Sequence, residues 1–426
     1  MTSAIIFIGI VLFLGQIFSS LFEKTRLPDV LPLMLLGMIM GPVTGLVKPE
    51  DFGQAGEIFT TLALIVVLFQ SGIELKILSL RGAMGQGFLL TTVAFSVLTV
   101  VLAWMARVAL NIPSIYAWII GAIVADNSTA VVTPLLDKLK IDSKTRAILF
   151  LEANLTGVYS IVLALALLGV AVKGGRVSAQ VVGFEILQSF GIGLLFSVVA
   201  GLFWMGVLNR VRSLENAVSL TFAFVLLVYG LSELVGGDGA IATLTFGAVA
   251  GNMRLIRRLW LKKLSFNMLS LNKGEKSFFE EVEFIFKTLF FVYMGISMRI
   301  GEIHLVALGL FFALAKLLVR TPCVNWCVSK KISRSDCSVV LAMCPNGLVS
   351  AVLAAMIAQQ LPEQGKVLQD VIYSVIFFSV ILSSLMSFRI EKGGLKWIGS
   401  TFFLRHKHEE NLPLPASDLP TDDTQK

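Results

Sequence analysis

Apolar stretches of about twenty residues, separated by short polar or Pro/Gly-marked breaks, recur along almost the whole chain. A membrane-spanning helix needs about 20 mostly apolar residues. Thirteen stretches qualify, at roughly 2–22, 29–47, 56–75, 83–106, 113–136, 145–172, 180–208, 216–235, 238–253, 277–298, 303–325, 336–360 and 369–388. The first has neither a basic leader nor a small-residue cleavage site, so it reads as a helix rather than a signal peptide. From about 393 the chain turns polar and Pro-rich. The pattern predicts an all-α polytopic membrane protein, with residues 1–392 as the membrane domain and 393–426 as a cytoplasmic, disordered tail.

Composition agrees with this reading. Of the 426 residues 56% are hydrophobic and 15% charged, where a soluble globular chain carries about 25% charged residues. That deficit excludes an ordinary soluble enzyme and a nucleic-acid-binding domain. Three histidines and four cysteines leave no room for a His-rich metal site or a disulfide framework. No phosphate-cradling loop or catalytic triad is present, and no cofactor is expected.

The net charge of +7 is topological. Loops on one side carry 27 of the 35 Lys and Arg residues, among them Lys76, Arg81, the 254–276 segment, the Arg320–Arg334 segment and the tail; the other side carries 6. Positive residues mark cytoplasmic loops. The N-terminus is therefore expected outside and the C-terminus in the cytoplasm, in the cell (plasma or inner) membrane.

Two features point to transport. The third and tenth spans end alike: Leu68–Ile77 and Phe291–Ile300 share Gly, Ile, a basic residue and Ile in register. With an offset of seven spans, the two segments run in opposite directions, and the match implies two inverted six-helix repeats, a hallmark of secondary transporters. The same offset relates the fifth and twelfth spans, each interrupted near its middle, by Asp126-Asn127-Ser128-Thr129 and by Cys344-Pro345-Asn346-Gly347. Broken helices at matching places mark a midplane substrate site; the bland alternative is a pair of polar kinks in a packed bundle.

A charge at the centre of a span costs about 2.5–3.5 kcal/mol on insertion scales, so each needs a reason. Asp126 and Lys287 lie near mid-depth and are read as partners, either a titrating pair or a static bridge between the halves. Glu152 fits support or anchoring. Glu283 shares a helix face with Lys287, four residues on. Glu74 lies at a cytoplasmic end, and Lys316 and Arg320 fit snorkelling toward it.

With these residues in hand, the chain resembles the monovalent cation:proton antiporter superfamily over nearly all of residues 1–390. Arg26–Pro42, Ser232–Asn252 (SELVGGDGAIATLTFGAVAGN), Leu289–Ser297 (LFFVYMGIS) and Pro345–Ala351 (PNGLVSA) are similar to its second-, ninth-, tenth- and twelfth-helix segments, in order. The resemblance implies a homodimer whose protomers have thirteen helices, with helices 5 and 12 broken and crossed beside an ion site. It implies a monovalent cation (sodium or potassium) and the proton as substrates, exchanged by alternating access within a lipid bilayer. The departures fall at the site. The family's sixth-helix carboxylate corresponds to Gly157, the residue before it to Thr156, and the third-helix Glu to Gln70. Two readings follow. Either the carboxylate has moved to Asp126, with Lys287 beside it, Asn127, Thr129 and Thr156 lining the site and Asn346 closing the second half-helix; or the scaffold serves another solute or a sensor.

Overall fold

The structure is a computed structural model that describes residues 2–25, 28–75, 84–137, 139, 141–172, 179–211, 217–259, 271–299, 301–330, 332–361 and 364–392. The tail expected to be disordered, 393–426, lies outside the described residues, as do Lys76, Arg81 and residues 260–270 of the basic 254–276 segment. Sixteen α-helices follow one another: α1 (Thr2–Thr25), α2 (Val30–Met38), α3 (Gly53–Glu74), α4 (Met84–Leu110), α5 (Ser114–Val124), α6 (Thr129–Asp137), α7 (Ser143–Val172) and α8 (Ala179–Val211). The chain continues with α9 (Ala217–Leu234), α10 (Gly239–Gly251), α11 (Met253–Leu259), α12 (Lys273–Ser297), α13 (Ile303–Cys327), α14 (Arg334–Ala342), α15 (Leu348–Gln360) and α16 (Gly365–Glu391). Each of the thirteen apolar stretches is helical. The fifth is split into α5 and α6 and the twelfth into α14 and α15, at the polar interruptions; only the short α11 was not anticipated.

Six stretches, Ser114–Asp137 among them, are long and apolar enough to cross a membrane, and six shorter helices are apolar as well. The outer surface carries large apolar side chains such as Trp104, Phe203, Leu318 and Trp326, all more than half exposed. Such a surface is unstable in water and suits acyl chains. Inside, one hydrophobic core surrounds the broken helices, and a smaller one joins α3, α8, α9 and α10.

The matched sequence ends of α3 and α12 have a packing cause. A Cβ at Gly72 would collide with the backbone of Leu244 and Gly247, and one at Gly247 with Phe69 and Gly72. On the other side of the molecule, a Cβ at Gly295 would collide with Met34 and Gly37, and one at Gly37 with Val292 and Gly295. The next residue of each motif repeats the contact: Ile73 packs on Gly251 and Ile296 on Gly41. Small residues let membrane helices approach backbone to backbone. The Gly-Ile motif is thus a helix-crossing device used twice, once between α3 and α10 and once between α12 and α2.

At the end of α2 the helix widens into a π-turn over Ile39–Val43, where Pro42 cannot donate its backbone bond. The Thr44 N–H bonds back to the Ile39 carbonyl at 3.0 Å, and the Thr44 hydroxyl bonds to the same oxygen at 2.7 Å.

Candidate functional site

The two unwound stretches touch where they cross. The Ser128 N–H donates to the Pro345 carbonyl at 2.7 Å, and a Cβ on Gly347 would strike the Ser128 side chain. Breaking a helix leaves its last carbonyls without partners, and in a bilayer only protein can supply them. For α5 the supplier is Asn346. Its Nδ2 donates to the carbonyls of Ile123, Val124 and Asp126, each at 3.1 Å, while its own N–H donates to Ser379 at 3.0 Å. Asn346 therefore closes the first broken helix rather than the second, which corrects the sequence expectation. An amide with two donors at the crossing reaches the nearest orphan carbonyls, and those belong to α5.

Two cations on α13, four residues apart, serve the two half-helices. Lys316 Nζ donates to the Asp126 carbonyl and, at 2.9 Å, to Asn346 Oδ1. Arg320 donates to the Val340 carbonyl in the last turn of α14, through Nε at 3.2 Å and Nη2 at 2.9 Å. Positive charge is favourable at helix C-termini, and α13 delivers one to each. Arg320 also forms a bidentate pair with Glu152 of α7, with Nη2 to Oε2 at 2.7 Å. Lys316 and Arg320 are fully buried and Glu152 is 1% exposed. Neither cation snorkels, and Arg320 does not belong among the loop charges that set topology.

Asp126 is 1% exposed. Its Oδ2 accepts from the Ser350 hydroxyl at 2.9 Å. Its Oδ1 is buried and has no partner among the described residues, although the Asn127 amide and the Thr156 hydroxyl lie close to the carboxyl group. Oδ1 is 3.7 Å from where a Cβ on Gly157 would stand. Gly157 thus leaves space beside the Asp126 carboxylate.

A cavity of about 490 Å³ reaches this point, lined by Asp126, Asn127, Ser128 and Thr129, by Asn154 and Gly157 of α7, and by Glu283 and Lys287 of α12. Asn127 Oδ1 is also buried and unpartnered among the described residues, so two oxygens of adjacent residues are uncommitted. Of the expected site residues, Asp126, Asn127, Thr129, Glu283 and Lys287 line the cavity. Thr156, Glu152 and Asn346 stand behind it. Thr156 accepts from the Asn127 N–H at 3.1 Å, and Asn127 Nδ2 donates to Glu152 at 3.4 Å. Thr156 is thus a support for Asn127 and the Asp126 carboxyl rather than a lining oxygen.

Lys287 does not pair with Asp126. Its Nζ bonds to Asp29 Oδ2 at 2.7 Å, with both side chains about 15% exposed. The close Gly37–Gly295 packing lays α12 along α2 and puts Asp29, just before α2, within its reach, while the cavity separates it from Asp126. The cation beside Asp126 is Lys316. Lys316→Met would leave the buried Asn346 Oδ1 without its donor and the Asp126 carbonyl with Asn346 alone, at about 1–3 kcal/mol. Lys287→Met would leave Asp29 near solvent, at about 1 kcal/mol or less. Thermal unfolding of the detergent-purified variants should therefore show the larger loss for Lys316→Met; equal losses would contradict this assignment.

A second cavity, about 910 Å³, lies at the other ends of the same helices. The first meets α3 at Val67–Glu74 and α12 at Lys276–Lys287, whereas the second meets Gly56 of α3 and Tyr293–Ser297 of α12. Asp126 lines only the first. Among the described residues no cluster of His, Cys, Asp and Glu could hold a resident metal.

Residues 9–390 match the family described as sodium/hydrogen exchanger, transmembrane. The fold is similar to the structure of the sodium proton antiporter MjNhaP1 from Methanocaldococcus jannaschii at pH 8, with a TM-score of 0.72 over 94% of this chain and 99% of that one, at 18% identity. By sequence the chain is 21% identical over 361 residues to Na(+)/H(+) antiporter 1 of Methanocaldococcus jannaschii, covering 83% of each. It is 23% identical over 229 residues to K(+)/H(+) antiporter NhaP2 of Shewanella oneidensis, covering 52% of this chain but only 40% of that protein's length. The family match spans both broken helices and the α13 cations behind them, and the chain belongs to the sodium/hydrogen exchanger family of multi-pass membrane transporters, which are not enzymes.

Proposed function

We propose that the protein exchanges a monovalent cation for protons by alternating access, with Asp126 as the group that binds either one. The observation that carries this reading is the uncommitted Oδ1 of a buried carboxylate at the inner end of an open cavity, where two broken helices cross. Hard cations take oxygen ligands, and Asp126 Oδ1, Asn127 Oδ1 and the nearby Ser128, Thr129 and Asn154 side chains offer them. A single carboxylate binds one proton or one cation, and each excludes the other. Lys316 is bonded to the Asp126 carbonyl and the Asn346 amide rather than to the carboxylate, so the carboxylate is left as the exchanging group. Exchange is therefore one-for-one and electroneutral.

Thirteen spans in two inverted repeats, with the N-terminus outside, complete the proposal. The twin Gly-Ile crossings support the repeats. With Arg320 removed from the loop count, 26 basic residues still face 6, which supports the orientation and makes the end bearing Glu74 and Lys276 cytoplasmic. The structure is then inward-facing, with the second cavity on the outer side. The family resemblance supports a homodimer. Sodium and potassium are the candidate ions, since the relatives are named for one or the other.

Proton flux into proteoliposomes containing an internal pH dye tests the reading, with sodium, potassium and lithium added in turn at clamped and free potential. A dye response to one ion, unchanged by potential, is expected. Silence to all three from folded protein would favour another solute, the reading that the missing carboxylate at Gly157 also fits.

A further inference from the structure

The mouth of the first cavity holds a group of charges that the Asp126 site does not use. Gln70 and Glu74, one turn apart on α3, face Glu283 of α12 across it, and all three line the cavity. Gln70 is 4% exposed. Its Nε2 donates to Glu74 Oε1 at 3.2 Å, which fixes the amide so that Oε1 is the remaining atom. That Oε1 is buried and has no partner among the described residues. A buried amide oxygen without a donor costs free energy, and here it is held beside two carboxylates.

The surrounding side chains are mostly acidic. Glu283 has Glu74, Lys287 and Glu280 as its electrostatic neighbours; Lys287 is engaged by Asp29, and Lys276 lines the cavity near Glu280. Among these residues four carboxylates face two ammonium groups. No hydrogen-bond donor in the group addresses the Gln70 oxygen, whereas a cation would satisfy it together with Glu74 and Glu283. The three groups come from two helices, α3 and α12, that line the same cavity as Asp126.

We infer that Gln70 Oε1, Glu74 and Glu283 form an outer station for the transported monovalent cation, occupied before the ion moves in to Asp126. The inference rests on the antiport reading for the identity of its ligand. Its role is to hold a partly dehydrated cation at the cavity mouth, so that the inner carboxylate is reloaded from a nearby ion rather than from bulk solvent. Proton release from Asp126 and cation entry then share one path, lined by oxygen throughout.

Calorimetric titration of the purified full-length protein with thallium(I), a monovalent surrogate for potassium, tests the station. Wild type is expected to bind two ions per protomer. Asp126→Asn should keep one, and Glu283→Gln should keep only the other. In proteoliposomes Glu283→Gln should raise the half-saturating cation concentration about tenfold, a size typical of removing one nearby charge at a partly solvated site, and Glu283→Asp should recover part of that shift. Wild type binding one ion that Asp126→Asn abolishes, or binding none, would overturn the outer station. So would an unchanged stoichiometry and half-saturation in Glu283→Gln. Exchange that persists in Asp126→Asn would instead overturn the Asp126 assignment, and no exchange by wild type would overturn the antiport reading, so the failures are separable.

Discussion

Asp126→Asn should reduce cation-driven proton flux to the level of protein-free liposomes while leaving the protein folded. The substitution is nearly isosteric, and the Asn oxygen can still accept from Ser350, which bonds to Oδ2 in the native chain. The main-chain carbonyl of residue 126 keeps its bonds to Lys316 and Asn346, so the crossing stays closed. What disappears is the one carboxylate that, among the described residues, lines the crossing, and with it the group proposed to carry a proton in one half-cycle and a cation in the other. Flux from reconstituted variant and wild type, normalised to protein incorporated, reads the result directly. Normal flux from Asp126→Asn would sink the assignment. Loss of flux with a collapsed melting transition would place Asp126 in the scaffold instead.

Arg320→Met is expected to be among the most destabilising single changes in the chain. It strands a fully buried Glu152 carboxylate, and breaking a buried ion pair by removing one partner costs about 3–5 kcal/mol. It also removes the donors to the Val340 carbonyl at the end of α14. The double variant Glu152→Leu/Arg320→Met separates the two losses. Replacing both members of a buried pair by apolar residues is often close to neutral, so the double variant should recover most of the stability. It should remain short of wild type by about 1–3 kcal/mol, the cost of an orphaned buried acceptor. Melting of the three variants in detergent checks this. A double variant no better than Arg320→Met would show that the pair's charge balance is not what the scaffold needs.

The geometry gives the broken helices a division of labour. Their C-terminal carbonyls are held from behind by Asn346, Lys316 and Arg320, and the carboxyl group of Asp126 turns the other way, toward the cavity. On the proposed reading the cations fix the crossing, the carboxylate is left to the substrate, and a glycine at position 157 of α7 is tolerated because Asp126 supplies the carboxylate that exchange needs.

The sequence by itself determined where the apolar helices lie, though not the short α11, because twenty-residue apolar runs and their polar breaks are local properties of the chain. It also located both interruptions, since Asp126–Thr129 and Cys344–Gly347 cannot continue a helix in lipid without a reason, and the Gly-Ile match of α3 and α12 was visible as a repeat. Depth was legible for Lys287, well inside its span, whereas Lys316, read as snorkelling, is fully buried. What the sequence does not carry is which way each helix is turned. Lys316 meets Asp126 across 190 positions, Ser350 meets it across 224, and Lys287 finds Asp29 across 258. A helix surrounded by apolar residues has no strong polar face to betray its rotation, and in lipid no water selects one. Only the packing of α12 on α2, closed by glycines, turned Lys287 toward Asp29. Only the packing of α13 behind the crossing made Lys316 and Arg320 the cations that hold the site.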